Sequence, residues 1–302
     1  MRLSLHQLNV FRAVANSGGI TSAAKQLHMT QPAVSNILKQ LQEYYHQPLL
    51  EVIGKRCYLT QAGKVLFEAA QQVDALLLNT QERMGLLQGK IAGEFSLSIV
   101  STAKYFVPRL LGAFQETYPE VHIKLKVLNR EQVIEHLKNN EDDCVIMSQP
   151  PTDIPIQSQP FYEDELVLAG SPEHPLVKCK KRSIALLSKE TWLLREVGSG
   201  TRMVMTKWLQ RHKIAPQHTL EIGNNESIKQ MIMANMGISL VSKQSIELEL
   251  STGLITTLAF ADLPLPHKWY LVRHANKYVS PLVQAFYHFV QAHPSLGHIQ
   301  QE

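Results

Sequence analysis

The 302-residue chain contains only three cysteines, Cys57, Cys144 and Cys179, an odd number without C-x-x-C spacing. That pattern argues against a disulfide scaffold or a zinc ribbon, and reduced structural thiols are the expectation. No uninterrupted apolar run is long enough for a membrane helix, which needs about 18 residues. Residues 1–7 (Met1-Arg2-Leu3-Ser4-Leu5-His6-Gln7) lack the apolar core and cleavage site of a signal peptide, so a cytoplasmic protein is expected. Catalytic signatures are missing too. There is no H-E-x-x-H, no zinc-ligand spacing and no Walker loop, and Val197, Ser199 and Thr201 do not fit G-x-S-x-G. Thirteen histidines could supply a base, but nothing organises them, so neither an enzyme nor a bound metal or cofactor is expected.

Residues 61–302 also lack net charge. Residues 1–60 carry Arg2, Arg12, Lys25, Lys39, Lys55 and Arg56 against Glu43 and Glu51, a net +4 that equals the +4 of the whole chain. An excess confined to the N-terminal fifth is expected of a segment that alone meets a polyanion.

Within that fifth, Thr30–Leu41 reads as a helix. Thr30 is a good N-cap, and Pro32 falls in the first turn, where a missing N–H costs nothing. Val34, Ile37, Leu38, Leu41 and Tyr45 recur at helical spacing and predict one buried stripe. The opposite face offers Gln31, Ser35, Asn36, Lys39 and Gln42, a set that suits phosphates and base edges, though an ordinary surface helix would look similar. Upstream, Leu5, Leu8, Phe11, Val14 and Ala15 predict a first helix ended by Ser17-Gly18-Gly19. Thr21 is the expected cap of a short second helix to about Leu27, and His28-Met29 form a tight turn, which makes a helix-turn-helix. Leu49–Ile53 and Cys57–Leu59 flank Gly54-Lys55-Arg56 as a hairpin with a cationic tip, a wing for the phosphate backbone or the minor groove of DNA.

These residues carry a resemblance. Leu8, Phe11, Val14-Ala15, Thr21-Ser22-Ala23-Ala24, Leu27-His28-Met29-Thr30-Gln31-Pro32-Ala33-Val34-Ser35, Leu41, Pro48-Leu49-Leu50-Glu51 and Leu59-Thr60-Gln61-Ala62-Gly63 together resemble the LysR-type transcriptional regulators. The resemblance implies a winged helix-turn-helix over residues 1–60 that binds double-stranded promoter DNA through Thr30, Gln31, Pro32, Ser35, Asn36, Lys39, Lys55 and Arg56. Many members carry arginine where this chain has Asn36, so no base preference is carried over there.

Residues 61–90 follow as one long helix capped by Thr60, in which Leu66, Ala70, Val73, Leu77, Thr80, Met84 and Leu87 alternate steps of four and three. That heptad seam suits two-chain pairing, and packing against the chain itself is the alternative. The segment resembles the family's linker helix, which implies a homodimer and, through the C-terminal domains, a homotetramer. RNA polymerase is a further candidate partner.

From residue 91 to 302, strand-like and helix-like runs alternate, as in an α/β domain with a mostly parallel sheet. Strands are expected at Glu94–Val100, Val121–Leu128, Cys144–Ser148, Trp192–Arg195, Leu220–Ile222 and Ile238–Val241, with crossings at Glu163–Ala169 and His267–His274. The first lobe would hold about 91–162 and 268–302, the second about 163–267, which resembles the periplasmic-binding-protein fold that the family uses to sense effectors. In such a fold ligands sit at strand C-ends and helix N-termini. Ser101-Thr102-Ala103, Ser148-Gln149, Ser199-Gly200-Thr201-Arg202 and Asn225 qualify, for a small anionic metabolite. Each could instead be a plain N-cap or turn, and Arg202 could equally form an internal ion pair.

Leu194-Arg195-Glu196, the Gly198–Arg202 turn, Asn225–Gln230, Met236-Gly237-Ile238, Glu247-Leu248-Glu249, Trp269-Tyr270 and Ser280-Pro281 are further similar to regulators of RuBisCO (carbon-fixation) operons. Those respond to phosphorylated or nucleotide metabolites. A transport-type solute-binding protein is the rival for residues 91–302, but it leaves the basic first 60 residues without a purpose.

Overall fold

The computed structural model describes residues 3–54, 56–87, 91–179 and 183–293. Lys55, and the side chain of Leu87, fall outside what is described. Contacts divide the chain into two compact units, residues 1–84 and 85–302.

In the first unit, α1 (Leu5–Ser17) starts in a reciprocal cap: the Ser4 hydroxyl accepts from the Gln7 N–H while the Gln7 side chain accepts from the Ser4 N–H. It ends at Gly18, φ 66°. The second helix, α2 (Ile20–Gln26), begins from Gly19 without a side-chain cap, so Thr21 lies inside it rather than capping it. The Gly18-Gly19 pair turns the chain two residues before the expected cap and lets Ile20 pack on the core. His28 makes the turn at φ 53°. In α3 (Gln31–Tyr45), Thr30 Oγ1 accepts from the Ala33 N–H at 3.4 Å, and Val34, Leu38 and Leu41 are buried. Tyr45 departs from the expected stripe: it sits exposed in the last turn, edge-on to Tyr44 at 5.0 Å, beyond the reach of the small core.

Strands β1 (Leu50–Ile53) and β2 (Arg56–Leu59) pair antiparallel around Gly54, φ 64°. Helix α4 (Gln61–Leu87) follows. Thr60 Oγ1 accepts from the Gly63 N–H at 3.0 Å and donates to the Pro48 carbonyl at 2.6 Å. Gly63 is glycine for a steric reason: a Cβ there would lie 2.0 Å from the Leu49 carbonyl oxygen. Leu66 and Ala70 are buried in the same core as Phe11 and Val34, with Val73 partly buried against it. The N-terminal half of the heptad seam is therefore used within the unit, whereas Leu77 (44% exposed) and Met84 (61%) are open.

The second unit opens with β3 (Gly93–Val100), α5 (Val107–Thr117), β4 (Val121–Leu128), α6 (Arg130–Lys138), β5 (Cys144–Met147) and β6 (Ile156–Gly170). It continues with β7 (Thr191–Arg195), α7 (Gly200–Arg211), β8 (His218–Ile222), α8 (Asn225–Met233), β9 (Ser239–Ser242), α9 (Glu247–Ser251), β10 (Thr256–Thr257), β11 (Leu265–His274) and α10 (Pro281–Ala292). One sheet runs β10-β6-β11-β5-β3-β4, with β9 also on β6; β3 is parallel to β4 and β5. Parallel β7 and β8 form a second sheet, bridged by Trp192 to Ile238.

The long strands β6 and β11 pair antiparallel from Leu166↔Leu265 to Ile156↔His274 and run through both halves. Strand β6 begins at Ile156, seven residues before the expected Glu163, because Gln157, Gln159 and Pro160 disguise it as a loop. A register shift opposite Phe161 absorbs the irregularity. Phe95, Phe106, Phe114, Trp269 and Phe286 build the core of one half, beneath α5 and α10. Trp192, Met205, Trp208, Ile238 and Leu240 build that of the other. The architecture is thus α/β, with an N-terminal winged helix-turn-helix and a two-lobed C-terminal unit.

Candidate DNA face and interlobe cleft

In the first unit the sequence-selected face of α3 is free. Thr30, Gln31, Pro32, Ser35, Asn36 and Lys39 are exposed, and Arg56 is exposed at the start of β2. Gln42 is not part of this face: it is half-buried, and its Oε1 accepts from the Leu49 N–H at 3.0 Å, fixing the start of the wing. Lys39 lies 3.8 Å from Glu43 with both side chains exposed, a pair too weakly held to withdraw the cation from a phosphate. Arg12, by contrast, is ion-paired with Asp74 of α4. The wing also exposes Val52, Ile53 and Tyr58.

In the second unit, the strand ends at Val100, Met147 and Arg195 converge on one cleft. Ser101, Thr102, Ser148, Gln149, Ser199, Gly200 and Thr201 line it together with Arg130, Arg195, Glu196 and Trp269. At its centre lies Arg195, 3% exposed, a residue that motif reasoning left out of the site. The Nη2 of Arg195 donates to Ser101 Oγ at 3.1 Å, and its Nη1 donates to Thr102 Oγ1 at 3.4 Å and to Asn225 Oδ1 at 2.5 Å. Asn225 Nδ2 also donates to Thr102 Oγ1 at 2.9 Å. The clue to Arg195 was an arginine ending an apolar strand just before a Gly-Ser-Gly turn, where burial demands a partner.

Helix α7 opens at this cleft. Its N-cap Ser199 is buried, yet makes no side-chain bond to the helix. The first-turn N–H groups therefore lack the usual acceptor, and a helix N-terminus in that state favours an anion. Gly200 packs so near the opposite wall that a Cβ would lie 3.1 Å from Ser148 Oγ. The chain after Thr102 is less helical than expected: Ser101–Tyr105 form one 3₁₀ turn, and α5 starts only at Val107, so little helix dipole acts there. Arg130 donates from Nε and Nη2 to the Gln149 carbonyl at 3.3 and 3.1 Å, and burial lowers its pKa against the pull of Asp153. The space left among these groups is about 20 Å³, room for one water-sized group.

Two sequence candidates lie elsewhere. Ala103 is packed in the core beside Phe106, and Arg202 is turned away, held by the Arg195 carbonyl at 2.5 Å and Glu221 at 2.7 Å. Arg202 thus forms the internal ion pair. Beside the cleft, Tyr105 donates to Glu226, and Lys104 and Lys229 stand 5.1 and 4.8 Å from the Tyr105 ring centre. Burial would raise the Glu226 pKa, but the bonds from Tyr105 and Lys229 hold it below the usual value. Burial and the Glu226 bond raise that of Tyr105. A larger groove of about 810 Å³ is lined by four carboxylates, Glu163, Asp164, Glu165 and Glu247, and by Lys243 and Lys268, which are already paired with Glu165 and Glu163 at 3.0 and 3.1 Å, a poor lining for an anion.

One cluster has the residue types of a hydrolase triad. His136 Nδ1 lies 2.7 Å from Asp142 and 3.3 Å from Ser98 Oγ. Glu141 faces the other ring nitrogen, 3.3 Å from Nε2, but Ser98 is fully buried and its hydroxyl donates to Asp142 at 2.5 Å rather than to the ring, so the serine is neither activated by His136 nor reachable by a substrate.

Residues 5–64 match the family described as bacterial regulatory helix-turn-helix protein, lysR family, and residues 88–295 match the LysR substrate binding domain. The chain is 39% identical over 298 residues to the HTH-type transcriptional activator CmpR of Synechocystis sp., covering 99% of this chain and 98% of that one. It is 36% identical over 298 residues to the RuBisCO operon transcriptional regulator of Allochromatium vinosum, covering 99% of each. The structure of the Synechocystis CcmR regulatory domain in complex with 2-PG matches with a TM-score of 0.64 at 38% identity, over 67% of this chain and 98% of that one. Full-length CbnR complexed with its target DNA, at 22% identity, matches in fold with a TM-score of 0.64 over 96% of this chain and 99% of that one. The chain therefore belongs to the LysR family: it is a DNA-binding transcriptional regulator, not an enzyme.

Proposed function

We propose that this regulator senses a small phosphorylated or carboxylate anion between the lobes of its C-terminal unit and changes its promoter footprint in response. The observation that carries this reading is the Arg195 guanidinium, buried beside the uncapped start of α7 and ringed by Ser101, Thr102 and Asn225. A cation in that setting is a strong anchor for an anion. The CcmR regulatory domain, 38% identical, was solved with 2-PG, which makes 2-phosphoglycolate the first compound to test. With about 20 Å³ between the lobes, binding requires the cleft to widen, a population shift between two arrangements.

On this reading residues 1–60 bind DNA, 61–90 link and pair subunits, and 91–302 sense the effector, with lobes of about 91–162 plus 268–302 and 163–267. Gln31, Ser35 and Asn36 meet bases; Thr30, Pro32, Lys39, Lys55 and Arg56 serve the backbone. Leu77, Met84 and Leu87 form the pairing seam of a cytoplasmic homodimer that doubles to a tetramer, and RNA polymerase is the partner of the assembly on DNA. RuBisCO-type operons, named for one relative, are the first promoters to try.

Calorimetry of the full chain with 2-phosphoglycolate tests the reading. Binding by the wild type and its loss in Arg195→Gln support it; equal binding by both proteins moves the site elsewhere.

A further inference from the structure

Arg195 has a second charged neighbour. Glu196 follows it in sequence and lines the same cleft. Its two carboxylate oxygens accept the Arg195 Nε–H at 2.7 Å and an Nη2–H at 2.8 Å. A guanidinium has five N–H donors. Here Nε donates to Glu196, Nη2 to Glu196 and Ser101, and Nη1 to Thr102 and Asn225. All five are taken by the protein.

An anion that reaches Arg195 must therefore displace one of these partners, because it needs the same N–H groups. Ser101, Thr102 and Asn225 are neutral, and the last two are buried and bonded to each other. Glu196 differs in three ways. It is anionic, it holds two donors side by side as a phosphate or carboxylate would, and its side chain is 26% exposed, so it can swing into water.

Resting on the anion-sensing reading above, we infer that Glu196 is an internal counter-anion for Arg195, and that effector binding exchanges one anion for another. The exchange sets specificity. A neutral ligand gains too little from Arg195 to displace a carboxylate, whereas a dianionic phosphate outcompetes it on charge. It also links binding to the backbone. The Ser199 N–H donates to the Glu196 main-chain carbonyl at 3.2 Å, and Gly198 turns at φ 91°, so any shift of the Glu196 main chain that accompanies the exchange reaches the start of α7.

The test is calorimetry on full-length wild type, Glu196→Gln and Glu196→Ala, each with 2-phosphoglycolate, inorganic phosphate and glycolate. Removing the competing charge should tighten 2-phosphoglycolate binding about tenfold, the factor that one charge-assisted hydrogen bond represents. It should also narrow the preference for the phosphorylated probes over glycolate. Wild-type or weaker affinity in both variants, with Arg195→Gln still abolishing binding, would overturn the exchange and leave the anion site standing. No binding of any probe to any of the proteins would overturn both. Unchanged melting temperatures in the two Glu196 variants confirm that the comparison is between folded proteins.

Discussion

Thr102 and Asn225 meet across the cleft: Asn225 Nδ2 donates to Thr102 Oγ1 at 2.9 Å, and Arg195 Nη1 bonds to both. One residue follows β3 and the other begins α8, so this contact ties together two parts of the second unit that must separate for the cleft to widen. Thr102→Val keeps the shape and removes the acceptor. It should cost about 1–3 kcal/mol of local stability, because two buried donors lose a partner. Under the proposed function it should weaken 2-phosphoglycolate binding in calorimetry and leave effector-free DNA binding intact. Wild-type affinity in this variant would remove Thr102 from the site.

On DNA, Gln31→Ala should lose about 1–3 kcal/mol of discrimination at one or two base pairs, whereas Arg56→Ala should weaken binding to every sequence and reduce the salt slope by about one counterion. Gel shifts on specific and random duplexes across a salt series measure both. An equal loss on the two duplexes for Gln31→Ala would show that it does not read bases.

Assembly turns on the free half of the α4 seam. Leu77 and Met84 are exposed, while Leu66 and Ala70 are already buried in the N-terminal core. Leu77→Asp should raise the dimer dissociation constant by at least about tenfold, as a charge in a coiled-coil seam does. Leu66→Asp should instead unfold the N-terminal unit. Light scattering with a melting curve separates the two effects. A wild-type monomer at micromolar concentration would end the pairing proposal.

Gly63 should tolerate no side chain. Alanine would place its Cβ 2.0 Å from the Leu49 carbonyl oxygen, a backbone atom that cannot move without shifting the wing. Gly63→Ala should destabilise the first unit by about 1–3 kcal/mol. Denaturant unfolding followed by far-ultraviolet dichroism measures this, and an unchanged midpoint would show that the wing gives way freely.

Acid sensitivity is predicted for the second unit from His267, which is 3% exposed and has no hydrogen-bond partner on Nε2. Burial lowers its pKa, with Asp164 opposing. The unfolded chain takes up a proton near the ordinary histidine value of about 6.5, the folded chain only at lower pH. The unfolded state thus binds more protons in that window, and stability falls as pH drops below about 6.5, at up to about 1.4 kcal/mol per pH unit. Melting temperatures at about pH 7.5 and about pH 5.5 should differ less in His267→Gln than in the wild type. An identical difference would assign the acid sensitivity to other groups.

What the sequence determined by itself was whatever rests on short-range physics. The Thr30 cap, Pro32 in the first turn, the glycine tip of the wing, the Thr60 cap and the alternating elements of the second unit are all local choices of φ, ψ and periodicity. Only the tertiary structure decided which apolar residues of α4 are spent on the fold, that Gln42 holds the wing, and that Arg202 is consumed by Glu221. It also decided the centre of the cleft. Arg195 meets Thr102 across 93 positions and Asn225 across 30, and such meetings are set by sheet order and by the crossing of β6 with β11. A buried guanidinium must find acceptors wherever the fold brings them, and no local pattern in the chain specifies where that will be.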